Sequence, residues 1–203
     1  MSLKPFHTIG IGVTFSPNLK ANIFEASRLA LMFQSKLVLI HVGIESAEKT
    51  KQFQNILEPF IKQSLDYSIV FKAGNPVDVI LSVSEEKKIN LLILGALKRE
   101  NFLKYYVGSI ARKITRQAHC SVLLLINPSV DRIPCSHVVV NGLKDPKTKN
   151  TIASAFYVAS SLGAEKITIV EEITQDKVTV KVDDDKSLRK AAILKERLKM
   201  RET

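Results

Sequence analysis

A short run, NLLILG at residues 90–95, decides the fold: four apolar residues follow one another directly and a glycine ends them. LVLIHV at residues 37–42 and SVLLLI at residues 121–126 have the same character. Unbroken apolar runs are typical of parallel strands whose two faces are both covered by helices, whereas alternating runs are typical of sheets with one solvated face. The three runs therefore predict interior strands of a parallel sheet.

Helix-like segments separate these runs from one another and from two further strands. Apolar residues recur at helical spacing between Leu19 and Gln34 and again from Phe53 to Ile61. We expect a kink or break at Pro59, because proline lacks the backbone N–H that a helix needs. Asn75 followed by Pro76 predicts the start of the next helix. The predicted strands are His7 to Thr14, Leu37 to Val42, Asp66 to Lys72, Ile89 to Leu94 and Ser121 to Ile126.

This order predicts an α/β protein with a doubly wound, five-stranded parallel sheet and helices on both faces. The first domain covers residues 1–130. After a polar link, residues 137–173 repeat the opening order of strand, helix and strand, which predicts a tandem repeat. Residues 131–203 then form an incomplete second unit of the order β-α-β-α, with a strand from Lys177 to Val182 and a basic helix from Ser187 to about Met200.

Composition limits the classes of function. Thirty basic against twenty acidic residues give a formal net charge of +10, which favours anionic partners. No run is long and apolar enough to cross a membrane, and the start lacks the layout of a signal peptide, so a cytoplasmic location is expected. The basic terminal helix has few aromatic neighbours, which disfavours nucleic acid as a partner.

Motifs for catalysis are missing from the sequence. It contains no GxxxxGK[ST] loop, no HExxH and no GxSxG. The two cysteines, Cys120 and Cys135, lack the spacing of a zinc site, and no metal is required. The four histidines stand at strand ends without an obvious carboxylate or cysteine partner, so packing or capping is the expected role. A protein that is not an enzyme is predicted.

One stretch could bind a ligand: LLILGALKRENFLKYYVGSIARKI at residues 91–114. A strand ends in Gly95, a basic loop follows, and Gly108 with Ser109 opens a helix. Ligands of open α/β sheets bind beyond the carboxyl ends of the strands, and a helix N-terminus offers free N–H groups to an anion. Lys98 could neutralise phosphate charge. A phosphate-binding loop from Gly95 to Ser109 is therefore one interpretation, and a tight turn without a ligand is the other.

The same stretch resembles the universal stress protein family, in which the fourth strand ends in Gly-x-x-Gly, nine residues intervene, and Gly-Ser or Gly-Thr begins the last helix. Gly95, Gly108 and Ser109 stand at the family spacing, and Lys98 replaces the second glycine. GSIARKITRQAHCSVLLL resembles the family's last helix and fifth strand. Thr14 stands where nucleotide-binding members usually carry an aspartate.

The resemblance implies an adenine nucleotide alpha hydrolase-like fold and a regulatory binding module of the stress response that takes ATP, ADP or AMP. It also implies a homodimer joined through the fifth strand, Val122 to Ile126. The alternative is a dimeric scaffold of the same fold that binds no nucleotide. The candidate ligand-binding residues are Thr14, Phe15, Ser16, His41, Val42, Gly95, Lys98, Gly108, Ser109 and Ile110.

Overall fold

The structure, a computed structural model, describes residues 4–95, 108–142 and 145–170. The chain divides into two units, residues 1–134 and 135–203. The strand from Lys177, the basic helix from Ser187 and the ligand candidate Lys98 lie outside the described residues.

Strands and helices alternate throughout the first unit. Each strand lies within two residues of its predicted bounds, and the helix that Gly108 was predicted to begin starts at Ser109. The elements are β1 (Thr8–Val13), α1 (Leu19–Phe33), β2 (Lys36–Val42), α2 (Ala47–Ile61), β3 (Tyr67–Lys72), α3 (Pro76–Glu86), β4 (Leu91–Gly95), α4 (Ser109–Gln117) and β5 (Ser121–Leu125).

The five strands form one parallel sheet in the order β3-β2-β1-β4-β5, which confirms the predicted doubly wound fold. The chain builds the sheet outward from β1 to β2 and β3, then returns to place β4 on the other side of β1. The strand order therefore reverses between β1 and β4. In doubly wound sheets the reversal opens a crevice at the carboxyl ends of the two strands.

Helices pack on both faces of the sheet. α1 contacts α2, and α3 contacts α4. Along the central strands, successive side chains point to opposite faces. Ile40 and Leu92 join the apolar cluster formed with α3 and α4, while the alternate residues Leu39 and Ile93 are fully buried as well. Burial on both faces explains why these strands read as unbroken apolar runs.

The helix starts follow the expected capping chemistry in two cases. The side chain of Asn75 accepts a hydrogen bond of 3.0 Å from the backbone N–H of Val77, which confirms it as the cap of α3. Ser46 caps α2 in the same way. α2 continues through Pro59 to Ile61, so the break that was expected as one of two outcomes at the proline does not occur.

The described part of the second unit has the predicted strand, helix and strand order. β6 (His137–Asn141) pairs in parallel with β7 (Lys166–Val170), and α5 (Thr148–Leu162) connects them. α5 ends at Gly163, which adopts the left-handed conformation with φ of 71° that favours glycine after a helix. The interpretation of this unit as an incomplete copy of the first stays a prediction.

Candidate functional site

A pocket of about 380 Å³ opens at the carboxyl ends of β1, β2 and β4, where the strand order reverses. β1 contributes the floor with Gly12 and Val13, and the following loop contributes Thr14 and Ser16. The first turns of α1, α3 and α4 close the sides. The further lining residues are Asn18, Leu19, Asn22, Ile40, His41, Val42, Pro76, Ile80, Leu94, Gly95, Gly108, Ile110 and Ala111.

Most of the sequence-predicted ligand residues meet in this pocket. The fold brings together segments that are far apart in the sequence, because the carboxyl ends of β1, β2 and β4 all reach the same edge of the sheet. The predicted residues that line the pocket are Thr14, Ser16, His41, Val42, Gly95, Gly108 and Ile110. Phe15 and Ser109 are not among the lining residues.

Phe15 belongs to an aromatic cluster beside the pocket. Its ring stacks on Phe53 of α2 with 5.2 Å between centroids and meets the edge of His41 at 5.2 Å. The ring of Phe71 contacts His41 from β3. Phe15 therefore supports His41, although 43% of its surface is still exposed.

His41 is held in one orientation at the end of β2. Its Nδ1 lies 3.1 Å from the carbonyl oxygen of Val13, and the residue is 7% exposed. A carbonyl oxygen can only accept, so Nδ1 carries the hydrogen in this contact. The role predicted for the histidines, packing or capping, fits His41, whose ring joins the ends of β1 and β2 as well as lining the pocket.

The N-terminus of α4 opens onto the pocket. Gly108 precedes the first helical residue, and its carbonyl oxygen accepts from the N–H of Arg112 at 2.9 Å. The first N–H groups of a helix have no partner within the helix and carry the positive end of its dipole. They could meet an anionic group of a ligand.

Charge is absent from the described wall of the pocket. The lining residues within 4–95 and 108–142 are glycine, apolar, hydroxyl and amide residues, together with His41. Thr14 supplies a hydroxyl where the resemblance implies a carboxylate. Such a wall could hold a ligand through shape, through hydroxyl and amide hydrogen bonds and through the helix N-terminus; its one described side chain that could serve as a general base is the imidazole of His41.

The sequence interpretation missed Asn22 of α1. This residue lies on the helix face that carries Leu19 and Ala26, which are buried. A carboxamide at helical spacing within an apolar stripe is the signal that could have identified it. Gly12, Ile80 and Leu94 were also missed, because they read as ordinary core positions.

Four further titratable residues line a second pocket of about 160 Å³: Glu85, Lys88, His119 and Cys120. His119, for which the sequence shows no obvious carboxylate partner, has one in the structure: its Nε2 lies 3.6 Å from Oε1 of Glu85, with 82% of the His119 side chain exposed. Burial raises the pKa of the Cys120 thiol above its ordinary value. Among the residues that the structure describes, no group of three or more metal-binding side chains exists, and no helix could span a membrane.

Comparison with known proteins gives three findings. Residues 43–125 match the model of the Universal stress protein family. A universal stress protein of Methanocaldococcus jannaschii is 31% identical over 55 residues, which are 27% of this chain and 32% of that protein. The matched segment thus spans about a third of the curated relative's length.

Two solved structures from Pseudomonas aeruginosa share the fold. A functionally unknown protein of strain PAO1 has a TM-score of 0.71 at 11% identity, with 98% of this chain and 70% of that chain covered. A putative universal stress protein of strain UCBPP-PA14 has a TM-score of 0.68 at 13% identity, with 97% and 69% covered. Residues 43–125 thus match the Universal stress protein family model, and the two structures share the fold of this chain.

Proposed function

We propose that the chain is a regulatory binding module of the stress response that holds an adenine nucleotide in the pocket between the carboxyl ends of β1 and β4. The observation that carries the proposal is the position of the pocket. It lies where the strand order reverses and where the N-terminus of α4 is open, which is the usual ligand position of doubly wound sheets. ATP, ADP and AMP are the candidates, and no metal is part of the proposal.

The lining offers groups suited to a nucleotide. The backbone N–H groups at the start of α4 would meet phosphate, and the apolar residues Ile40, Val42 and Leu94 would cover the base and sugar. The sequence lacks the GxxxxGK[ST] motif of phosphoryl transfer, so we expect binding without turnover.

Isothermal titration with ATP, ADP and AMP tests the proposal, and thermal shift with the same ligands gives a second readout. Ile110→Glu adds a negative charge at the pocket wall, on a side chain that is already 46% exposed. Gln117→Glu adds the same charge at the other end of the same helix and is the matched control. We expect wild type and Gln117→Glu to bind and Ile110→Glu to lose binding. Absence of heat and of a thermal shift with all three nucleotides in wild type would reject the proposal.

A dimeric role is the second candidate, and the position of β5 favours it. β5 is the last strand of the sheet order, and Ile126 directly after it is 48% exposed. No strand of the described residues pairs with the outer edge of β5, and an unpaired edge with apolar neighbours invites pairing with a second chain. We propose a homodimer through Val122 to Ile126, in which the domain acts as a scaffold. Light scattering that gives a monomer mass at micromolar concentration would reject it, and Leu123→Lys should dissociate the dimer.

A further inference from the structure

Asn22 has an unusual position in the first turn of α1. Its backbone N–H bonds to the carbonyl oxygen of Asn18 at 2.9 Å, as in any regular turn, while its side chain lines the pocket. The Oδ1 atom of this side chain is buried and has no hydrogen-bond partner among the described residues. A buried amide oxygen without a partner loses the hydrogen bond that it made to water in the unfolded chain.

Gly95 allows the carboxamide to lie where it does. A Cβ atom placed on Gly95 would come within 2.9 Å of Nδ2 and 3.2 Å of Oδ1 of Asn22. Real Cβ atoms do not approach polar atoms so closely, so a side chain at residue 95 would displace the amide. The end of β4 and the first turn of α1 are thus fitted to each other, with the amide of Asn22 against the glycine.

The position of this amide at a cavity distinguishes it from the other buried oxygens without a partner. In the described part of the chain those are the hydroxyls of Ser27 and Thr50, and neither residue lines the pocket. Most buried polar groups in native proteins are paired with protein or with ordered molecules. Oδ1 itself has almost no accessible surface, so a ligand reaches it only when the side chain of Asn22 turns into the pocket that the residue lines; the missing partner is explained if the ligand supplies it.

The chemistry of a carboxamide defines what that partner must offer. Oδ1 accepts and Nδ2 donates, side by side, so the complementary group has a donor next to an acceptor. The N6 amino group and N7 of adenine form such a pair, and asparagine binds this edge with two hydrogen bonds. The ribose 2′-hydroxyl, which both donates and accepts, is another such group. An ionised phosphate offers acceptors alone and would leave Oδ1 unpaired.

We infer that Asn22 is a specificity residue that recognises a hydrogen-bond donor next to an acceptor on the nucleoside part of the ligand. The inference rests on the proposed nucleotide binding and assigns the recognition to a side chain of α1. Phosphate is left to the start of α4. Because Oδ1 stays unpaired when the donor is missing, the residue rejects ligands that lack it.

The test compares AMP with two analogues that keep the phosphate. Purine riboside 5′-monophosphate lacks the amino donor of the base, and 2′-deoxy-AMP lacks a sugar hydroxyl. Wild type should bind one of the two about tenfold more weakly than AMP, and which one identifies the source of the donor. Asn22→Leu, of similar size without polar atoms, should bind AMP and that analogue with equal Kd. Asn55→Leu, an exposed position in α2, is the matched control and should keep the tenfold difference.

Gly95→Ala is the second variant, in case Asn22→Leu fails to fold. It keeps the asparagine but displaces its amide, so the difference between AMP and the analogue should again disappear. The inference is overturned if wild type binds AMP and both analogues equally, or if Asn22→Leu still discriminates as wild type does; the proposed function survives both results. If wild type binds no AMP, ATP or ADP, the proposed function fails and the inference fails with it.

Discussion

Gly10 in the middle of β1 gives the sharpest test of how the sheet packs against its helices. Its neighbours in the sheet are Val38 of β2 and Leu92 of β4. A Cβ atom on Gly10 would lie 2.4 Å from Cδ1 of Ile89, 3.2 Å from Cγ2 and 3.3 Å from Cγ1. Carbon atoms prefer a separation of about 3.5–4.0 Å. The added methyl group therefore overlaps the side chain of Ile89, which must move to relieve the overlap.

The cost of Gly10→Ala follows from two opposing effects. Overpacking a closed core typically costs about 1–3 kcal/mol. Ile89 is 5% exposed and belongs to the apolar cluster under α3, so it has little room to move. Replacing glycine at an ordinary φ returns about 0.4–1 kcal/mol, because the unfolded chain loses conformational freedom. We expect a net loss of about 1–2 kcal/mol in the free energy of unfolding.

Urea unfolding followed by far-UV circular dichroism measures this loss, since the chain has no tryptophan to report by fluorescence. Gly12→Ala is the matched control on the same strand. There the nearest atoms, Cδ1 of Ile80 and Cδ2 of Leu94, are 3.3 Å and 3.4 Å away, so we expect a change within about 0.5 kcal/mol.

A double-mutant cycle identifies the cause. Ile89→Val removes Cδ1, the atom in closest contact, and should cost about 0.5–1.5 kcal/mol in wild type. In the Gly10→Ala background the same change should cost less or stabilise, because it relieves the overlap. Additive effects of the two substitutions, or a Gly10→Ala variant as stable as wild type, would refute the packing argument.

Three further predictions concern the edges of the fold. Asn75→Ala removes the side-chain cap of α3 and should lower the free energy of unfolding by about 1 kcal/mol in a urea titration. The side chain of Asn18 makes no cap hydrogen bond to α1, so Asn18→Ala should lower the free energy of unfolding by less. Arg28 donates to the carbonyl groups of three successive residues after β5, residues 129–131, and pairs with Glu25 of its own helix. Arg28→Ala should therefore accelerate amide hydrogen exchange in residues 129–131 while leaving exchange in β1 unchanged. Equal exchange of residues 129–131 in wild type and Arg28→Ala would contradict this role. The hydrogen bond from Lys72 holds the pKa of Glu86 below its usual value. The pair therefore stabilises the fold above the unfolded pKa of glutamate, and this contribution is lost as the pH falls through the lower folded pKa. Glu86→Gln should reduce the dependence of stability on pH in the acid range, which thermal unfolding between pH 3 and about 7 measures.

The sequence by itself determined the element order and the class of the fold. Unbroken apolar runs such as NLLILG predict strands buried on both faces, because no solvated face remains to be filled with polar residues. The cap at Asn75 was equally visible, since capping depends on residues that are neighbours in the chain. These are local or periodic properties, and the structure confirms the strands within two residues of their predicted bounds.

Tertiary structure alone decided which of the candidate residues share a pocket. The order β3-β2-β1-β4-β5 brings Thr14, His41 and Gly95 to one edge, and it turns Phe15 toward Phe53 instead. In the sequence, Asn22 is one more position of an amphipathic helix. The tertiary structure places its amide against Gly95 at the end of β4, where a larger residue would displace it. Contacts between residues far apart in the sequence depend on register and on side-chain volume at each crossing, and neither is encoded in the periodicity of a single segment.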